Sequence, residues 1–581
     1  MSDELGAART EKAMQNNEIS TSRQTSGAEE KVMSSPELTS MISAYLREGS
    51  NLTVPMVSDQ VPTLKVGKWR AFFANLARVN RAFFHASIAI LWEVMDTLEP
   101  FFELILPCDT LLDRATPAVP LAYWNAISSD EWKRFEVYSS RTKTLILNRK
   151  TSPEIDPSWL FYIASSTKRP AQLFPAIKHL VLTSNDTLSL FVAFHVTPQI
   201  DRLTVHLDKE SKEPDDESSV AFTSSLAENA GKLTSLRLVQ PVSWKIMDVV
   251  ATIPGLKRLS LRVEKHITSA DLSPLNELKS LEALAIEEST FSDAFPGSVG
   301  TADAIARESS MDNLTELRVT ANCTRQFQVA RHLSPKSLRT LELNVLGDLT
   351  GSMAVLPLFI LVHAQRNTQL TSLVVTCRKF NITPGSVEDL RGDPRYTIME
   401  PFINALSSLH NLTILSITGA SFFSVDIIVQ MLRMLRKLPQ LQVFRFLPLQ
   451  MTALEADDLM IPTLGALIEV SRHNPNLREL AIPLDIYVLD DLVLPHGYVS
   501  RHGLKKLAID ACIDEESAIT TEDSLHMARY LDRLFPSLET LTEEWRKDTL
   551  DWRIWNVIER TLSFCQEIRA QAVNDARLMA S

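Results

Sequence analysis

Glycine is scarce in this chain: 16 residues among 581, against 29 prolines. Enzymes that cradle phosphates use clustered glycines, because only glycine lets the backbone close on the anion, and no such cluster occurs. The sequence contains no H-E-x-x-H, G-x-S-x-G, G-x-G-x-x-G or Walker pattern. A basic excess is also missing. Lys+Arg is 59 and Asp+Glu is 71, so the net charge is −12. Nucleic-acid and anionic-membrane binders carry the opposite, a concentrated positive charge. The longest apolar run, Met353 to Val362, is ten residues and contains Pro357, whereas a membrane-spanning helix needs about 20. The first residues include Asp3 and Glu4 where a signal peptide needs a basic start. The five cysteines, Cys108, Cys323, Cys377, Cys512 and Cys565, are far apart. They suggest neither a disulfide framework nor a zinc knuckle, and free thiols in a reducing compartment are expected. The 12 histidines are dispersed. His496 and His502 fall in a Pro/Gly loop and read as solvated, without carboxylate or Cys ligands at metal spacing.

What is present begins after a polar tail. Residues 1–35 contain no aromatic side chain and cannot bury enough apolar surface to offset ordering entropy, so a disordered tail is expected there. From Pro36, the residues Leu38, Met41, Ile42, Tyr45 and Leu46 follow helical spacing. A dense helical block then runs from Trp69 to Trp92, with further helical stretches to Leu106 and from Asp130 to Tyr138.

Beyond this the chain repeats the unit L-x-x-L-x-L with apolar exchange. It runs from Ile177-Leu180-Leu182 through Leu256-Leu259-Leu261, Leu314-Leu317-Val319 and Leu412-Leu415-Ile417 to Leu504-Leu507-Ile509. A broken copy, Leu538-Leu541, closes the series, and a partial one, Leu145-Leu147, opens it. Intervals range from 23 residues (Ile177 to Ile200) to 42 (Leu370 to Leu412). The short ones match leucine-rich repeats of about 20–29 residues and the long ones carry insertions. Many units are announced by a Pro or Asn just ahead, as in FPAIKHL, LPQLQVF and NPNLREL, and helical signals such as VDIIVQMLRMLRKL lie between them. The last two apolar residues of each unit sit two apart on a strand and face the core, with the residue between them facing out. The expected fold is α/β: a leucine-rich-repeat solenoid, a curved parallel sheet with outer helices, preceded by a small all-α domain.

The segments PELTSMISAYL and WRAFFANLARVNRAFFHASIAILWEVMDTLEPFFELIL resemble an F-box followed by its linker. Pro36, Glu37 and Leu38 match the family's start, and Ile42 and Leu46 its first helix. Leu76, Ala77, Arg78, Val79, Arg81 and Ala82 match its second signature, with Asn80 at the usual Cys and Phe83 at the usual Trp. Leu91 and Trp92 match its final pair. The stretch Arg47 to Lys68 is longer than the family's spacing. Taken with the repeats, the chain resembles the fungal type of F-box protein with leucine-rich-like repeats. The resemblance implies a substrate receptor of an SCF-type cullin-RING ubiquitin ligase. Its partners would be the SCF adaptor protein, the cullin scaffold and an unknown protein substrate, with no cofactor, nucleic acid or membrane. The protein would be a monomer within that hetero-complex, in the cytoplasm or nucleus, contributing proximity rather than covalent chemistry. Adaptor binding would fall to Pro36, Leu38, Ile42, Leu46 and Leu76. Two other readings are a repeat scaffold that recruits no ligase and a hydrolase or transferase within an α/β fold.

The resulting domain plan is a tail over 1–35, an F-box-like helical domain over 36–108, and a helical linker with the first repeat cap over 109–170. The solenoid covers 171–545 and a C-terminal capping helix 546–581. On the outward face the repeats place Arg237, Arg258, Arg262 and Arg318 near one another in an otherwise acidic protein. Guanidinium forks suit carboxylate and phosphate groups, so this cluster is the expected substrate-binding site for an acidic or phosphorylated segment.

Overall fold

The computed structural model describes residues 67–105, 127–147, 169–183, 199–206, 230–242, 245–263, 272–288, 311–322, 335–346, 367–378, 399–419, 426–447, 461–489, 500–511, 519–542 and 552–580, with isolated positions between them. The chain divides into two compact units, Met1–Leu207 and Asp208–Ser581. The tail expected over 1–35 lies almost wholly outside the described residues.

In the first unit, α1 (Gly67–Ala77) and α2 (Arg81–Leu91) pack on each other. The two are separate helices because Asn80 intervenes, and its side chain accepts the Phe83 N–H at 2.9 Å as an N-cap. The signature read as one helix across Leu76–Ala82 is therefore a helix end, a turn and a new start. After α2 come β1 (Val94–Met95), α3 (Glu99–Glu103), α4 (Ser129–Ser139), β2 (Thr144–Leu147), β3 (His179–Leu182) and β4 (Arg202–Val205). The four strands pair in parallel and in chain order. A capping box starts α4, with Ser128 and Glu131 each accepting the other's backbone N–H.

Strand β1 falls inside the segment 36–108 that the sequence reads as purely helical. It has two residues, too few for the L-x-x-L-x-L signature, and is anchored when the Glu93 carbonyl accepts the N–H groups of Lys143 and Thr144 at 2.9 and 3.0 Å. The Leu91-Trp92 pair turns out to serve the core. Trp92 stacks against Phe101 and Tyr138, and Phe101 in turn against Phe135 and Phe174, with centroids 4.6–5.8 Å apart. This cluster joins α2, α3 and α4 to the turn that leads into β3.

The second unit carries one strand per repeat: β5 (Ser235–Val242), β6 (Arg258–Val263), β7 (Ala283–Glu288), β8 (Glu316–Ala321), β9 (Thr340–Leu346), β10 (Ser372–Arg378), β11 (Ile414–Thr418), β12 (Val443–Leu447), β13 (Glu479–Leu484), β14 (Lys506–Ala511) and β15 (Thr540–Thr542). Each pairs in parallel with the next. The register places the second leucine of every unit opposite its successor, from Leu236 and Leu259 through Leu317, Leu341 and Phe444 to Leu541. Leu259, Leu261, Leu317, Val319, Leu341 and Leu343 are all at most 2% exposed, as the repeat predicts. Residues between them, such as Ser260, Arg318 and Glu342, are half-exposed on the opposite face. The fold is a leucine-rich-repeat α/β architecture, sheet and core alike built from the recurring unit.

Helices fill the later connections: α5 (Lys245–Val250), α6 (Met399–Ser407), α7 (Asp426–Leu435), α8 (Leu467–His473) and α9 (Thr521–Leu534). α6 through α9 pack successively on one another. Two of them, α7 and α9, lie where the sequence carries its helical signals. A final helix, α10 (Trp552–Ala580), lies within the expected cap and buries Trp555, Ile558 and Leu562 against α9 and β15. Arg569 of α10 pairs with the buried carboxylate of Asp532 on α9.

One glycine is required by conformation. Gly419 follows β11 with φ of 71°, its N–H donates to the Leu447 carbonyl at 2.7 Å, and a Cβ there would overlap the Cys377 carbonyl oxygen. Two substitutions test the packing. Leu317→Ala should cost about 2–5 kcal/mol, and Gly419→Ala more than about 1 kcal/mol. Arg318→Ala, next to Leu317 but facing out, should stay within about 1 kcal/mol. Denaturant midpoints of the three variants read these values directly.

Candidate interaction surfaces

The open face of the second unit follows from strand alternation. With the leucines turned inward, up to three rows of side chains remain outward along β5–β12, in line with the register, whereas on β13 Ala481 and Pro483 are buried. The four arginines expected to bind substrate fall on this face. Arg258 and Arg262 share β6, Arg237 lies on β5 opposite Ser260, and Arg318 lies two strands on in β8. Arg258 is exposed and Arg237 half-buried. Two of them spend their charge within the sheet. Arg262 meets Glu287 of β7 at 3.4 Å and Arg318 meets Glu342 of β9 at 2.6 Å. Both partners stand directly opposite in register. Beside Arg258, the Glu282 carboxyl is held below the usual range, first by a hydrogen bond from Lys257, then by the Lys257 and Arg258 charges.

A third cross-strand pair, Arg445 of β12 with Glu479 of β13, was not singled out by the sequence reading. Its signal was available once strands were aligned. Arg445 sits in the middle row and Glu479 in the row just before it, one strand over.

In the first unit, the adaptor-binding expectation meets two exposed helical residues, Leu38 at 40% and Ile42 at 39%. Leu76 is half-buried on α1, and Pro36 and Leu46 lie outside the described residues. Sequence reasoning missed three further apolar side chains on and between α1 and α2: Phe72, Val79 and Phe84 are 41%, 57% and 39% exposed. Their neighbours Phe73 and Phe83 are 1% and 3% exposed. Each helix thus turns one Phe of a Phe-Phe pair inward and the other outward. Arg70 of α1 ties this helix to β1 by pairing with Asp96 at 2.6 Å and donating to the Val94 carbonyl at 3.1 Å.

His502 is not solvated, contrary to the loop reading. It is 3% exposed; its Nδ1 accepts the Leu504 N–H at 3.1 Å, so Nε2 carries the proton and donates to the Asn474 carbonyl at 2.7 Å. The turn before the repeat leucine needs a side chain that accepts locally and donates backwards, and histidine does both. Burial pushes its pKa down. His179 on β3 is also held down, to about 4, by burial and then by Arg202 across the strand; its Nε2 lies 3.3 Å from the Thr204 hydroxyl. Cys377 and Cys565 are free, and burial pushes the Cys377 thiol up to about 12, which removes it from nucleophilic chemistry. Among the described residues no group of three His, Cys, Asp or Glu is placed to hold a metal ion, and no helix is long and apolar enough to cross a membrane.

No family model matches the chain, and no curated protein sequence matches it. Among solved structures, the crystal structure of an internalin from Listeria monocytogenes aligns at 14% identity with a TM-score of 0.30, covering 67% of this chain and 95% of that one. The fold assignment rests on strand order and register, independently of that likeness.

The two histidines give stability a pH dependence of fixed sign. Both are held neutral in the fold below their ordinary value of about 6.5. As pH falls from about 6.5 toward about 4, the unfolded chain takes up protons that folded His179 refuses, so stability is lost over that window and is intact above it. His179→Gln should therefore reduce the difference in unfolding free energy between pH 7 and pH 4.5 by about 1–2 kcal/mol, a value discounted for a partly solvated site. Chemical denaturation of both proteins at the two pH values measures it.

Proposed function

We propose that this protein is an interaction scaffold whose repeat sheet holds a protein partner, and that it acts as the substrate receptor of an SCF-type ubiquitin ligase. The observation that carries the scaffold reading is the one-sidedness of the sheet. On β5 to β12 every second strand residue is consumed by the core, while those between form a face of charged, hydroxyl and small apolar groups. A surface of this breadth suits a macromolecular partner.

The recruiting end would be the helical segment of the first unit. Exposed apolar side chains that a fold leaves uncovered mark contact surfaces, and Leu38, Ile42, Phe72 and Phe84 supply them. In this reading they dock the small adaptor of the ligase while the repeats orient the substrate, in the cytoplasm or nucleus. The contribution is proximity and orientation, with no bond made or broken by this chain. An acidic or phosphorylated substrate segment would meet Arg237, Arg258, Arg262 and Arg318, of which Arg262 and Arg318 also face Glu287 and Glu342. The alternative, a scaffold that recruits no ligase, keeps the repeat face and drops the adaptor.

Because Leu38 and Ile42 are exposed, charging them leaves the core intact, which makes the test clean. Wild-type protein should co-purify the adaptor, Leu38→Asp/Ile42→Asp should lose it at an unchanged melting midpoint, and Phe72→Asp should weaken it. Folded wild type that recovers no adaptor would leave the scaffold without a ligase.

A further inference from the structure

The turns that lead into the strands of the second unit carry charge unevenly. In the earlier repeats the signs mix. Lys257 pairs with Glu282 at 2.8 Å, and Glu277, Asp312 and Lys336 are exposed on the turns that follow. From α7 to β14 the mixture ends. The turn segments 433–442, 469–478 and 501–506 hold eight Lys or Arg and one acid, Glu469, in a chain of net charge −12. Arg433, Lys437, Arg478, Arg501 and Lys506 are exposed, and none forms an ion pair among the described residues. Glu469 is already shared: Arg436 reaches it at 2.7 Å, Arg472 at 3.2 Å and His473 at 3.5 Å. One carboxylate cannot neutralise two guanidiniums.

These cations lie along one edge. Each connection returns the chain to the start of the next parallel strand, so the turns before β12, β13 and β14 are neighbours. Hydrogen bonds staple them together. Asn476 Nδ2 donates to the Pro439 carbonyl at 2.9 Å, His502 Nε2 to that of Asn474 at 2.7 Å, and the Lys505 N–H to that of Arg478 at 2.8 Å. Helix capping does not account for the charge. Cations in a last helical turn offset the negative helix end, and Arg433 and Arg472 stand there. The end of α7 is already served by Asn474, whose Nδ2 donates to the Leu435 carbonyl at 2.8 Å. Arg478, Arg501 and Lys506 lie in no helix.

Charge selects the occupant and the surroundings narrow it. A row of unpaired cations attracts an anionic segment, and guanidinium forks match carboxylates. The three segments contain no Phe, Tyr or Trp on which bases could stack. Their exposed uncharged residues, among them Pro439, Gln440, Pro475 and Asn476, offer no apolar wedge for a membrane. A long polyanion would also run on into a repulsive body, because the eight cations and one acid here leave −19 for the rest of the chain. The three turns span about 10 Å at the strand side and about 20 Å at the helix side. That is the length of about three to six residues of extended chain.

We propose that the turn edge from α7 to β14 docks a short acidic segment of a partner protein, its carboxylates meeting Arg433, Lys437, Arg478 and Arg501. This surface is separate from the open face of the sheet and goes beyond the scaffold reading.

The test uses the full chain and two labelled synthetic peptides, one with about six Asp and Glu residues between Gly-Ser ends and a twin with Asn and Gln in their place. In fluorescence anisotropy at low salt the acidic peptide should bind and the twin should not. Lys437→Glu/Arg478→Glu/Arg501→Glu should weaken the acidic peptide about tenfold or more, the yield of three exposed ion pairs. Lys232→Glu/Lys336→Glu/Arg560→Glu changes the net charge equally at exposed positions elsewhere, and should weaken it by no more than about twofold. If the edge variant lowers the melting midpoint, Lys437→Gln/Arg478→Gln/Arg501→Gln takes its place, with a loss of about threefold expected. Equal weakening by the two reversals shows that the peptide senses only overall charge and overturns the proposal, as does an absence of binding. Loss in Arg237→Glu/Arg258→Glu with full affinity in the edge variant moves the acidic segment to the open face and overturns the edge. A single-stranded oligonucleotide or a phosphatidylserine vesicle that binds more tightly than the peptide through the same three side chains also overturns the proposal.

Discussion

Along the described strands of each unit, the carbonyl two residues before the first strand leucine accepts two N–H groups from the next repeat. Lys143 takes those of Lys178 and His179, Thr234 those of Lys257 and Arg258, and Thr371 those of Thr413 and Ile414, all between 2.8 and 3.1 Å. The same geometry continues through Gln442 and Arg478 to Lys505. A carbonyl has two lone pairs, so one group satisfies two donors that would otherwise be orphaned where the chain turns into the strand. This contact fixes the start of each strand relative to the last, and the leucine ladder, the outward rows and the cross-strand ion pairs all inherit their register from it. Thr315, Thr371 and Thr413 strengthen it with a hydroxyl that donates to the same oxygen at 2.9–3.1 Å.

The repeat core was legible because it uses few residue types at fixed offsets. The apolar triplets, the lead-in prolines, and the helices α7 and α9 stand where the pattern puts them. What the pattern hid has specific physical causes. Strand β1 is too short to carry a triplet, since backbone hydrogen bonds rather than side chains define it. Asn80 divides α1 from α2 by capping, which a match to a longer helical signature conceals. His502 reads as a loop residue because two nitrogens bonded to backbone leave no trace in sequence spacing. Column pairings such as Lys257–Glu282 and Lys505–Glu539, at 2.8 and 2.7 Å, lie 25 and 34 residues apart, and varying insertions scatter them until the register is known.

The same register changes the meaning of the arginines. Counted along the chain, they are a positive cluster. Placed on neighbouring strands, Arg262 and Arg318 face glutamates and the local field largely cancels, since opposite charges within a few ångströms leave little potential beyond a Debye length. The surface of the first unit differs in kind: Leu38, Ile42, Phe72 and Phe84 expose apolar area, whose contacts salt does not screen.

Because every described strand of the second unit pairs with its chain neighbours, that unit has a mechanical character that its chemistry alone does not reveal. Stability in such an array is a sum of nearest-neighbour terms. A pulling force applied along its length would load one junction at a time, beginning at an end. Each junction that gives way would release a single repeat, about 80–150 Å of extended chain for 23–42 residues. The repeats that remain would keep their register and their outward rows.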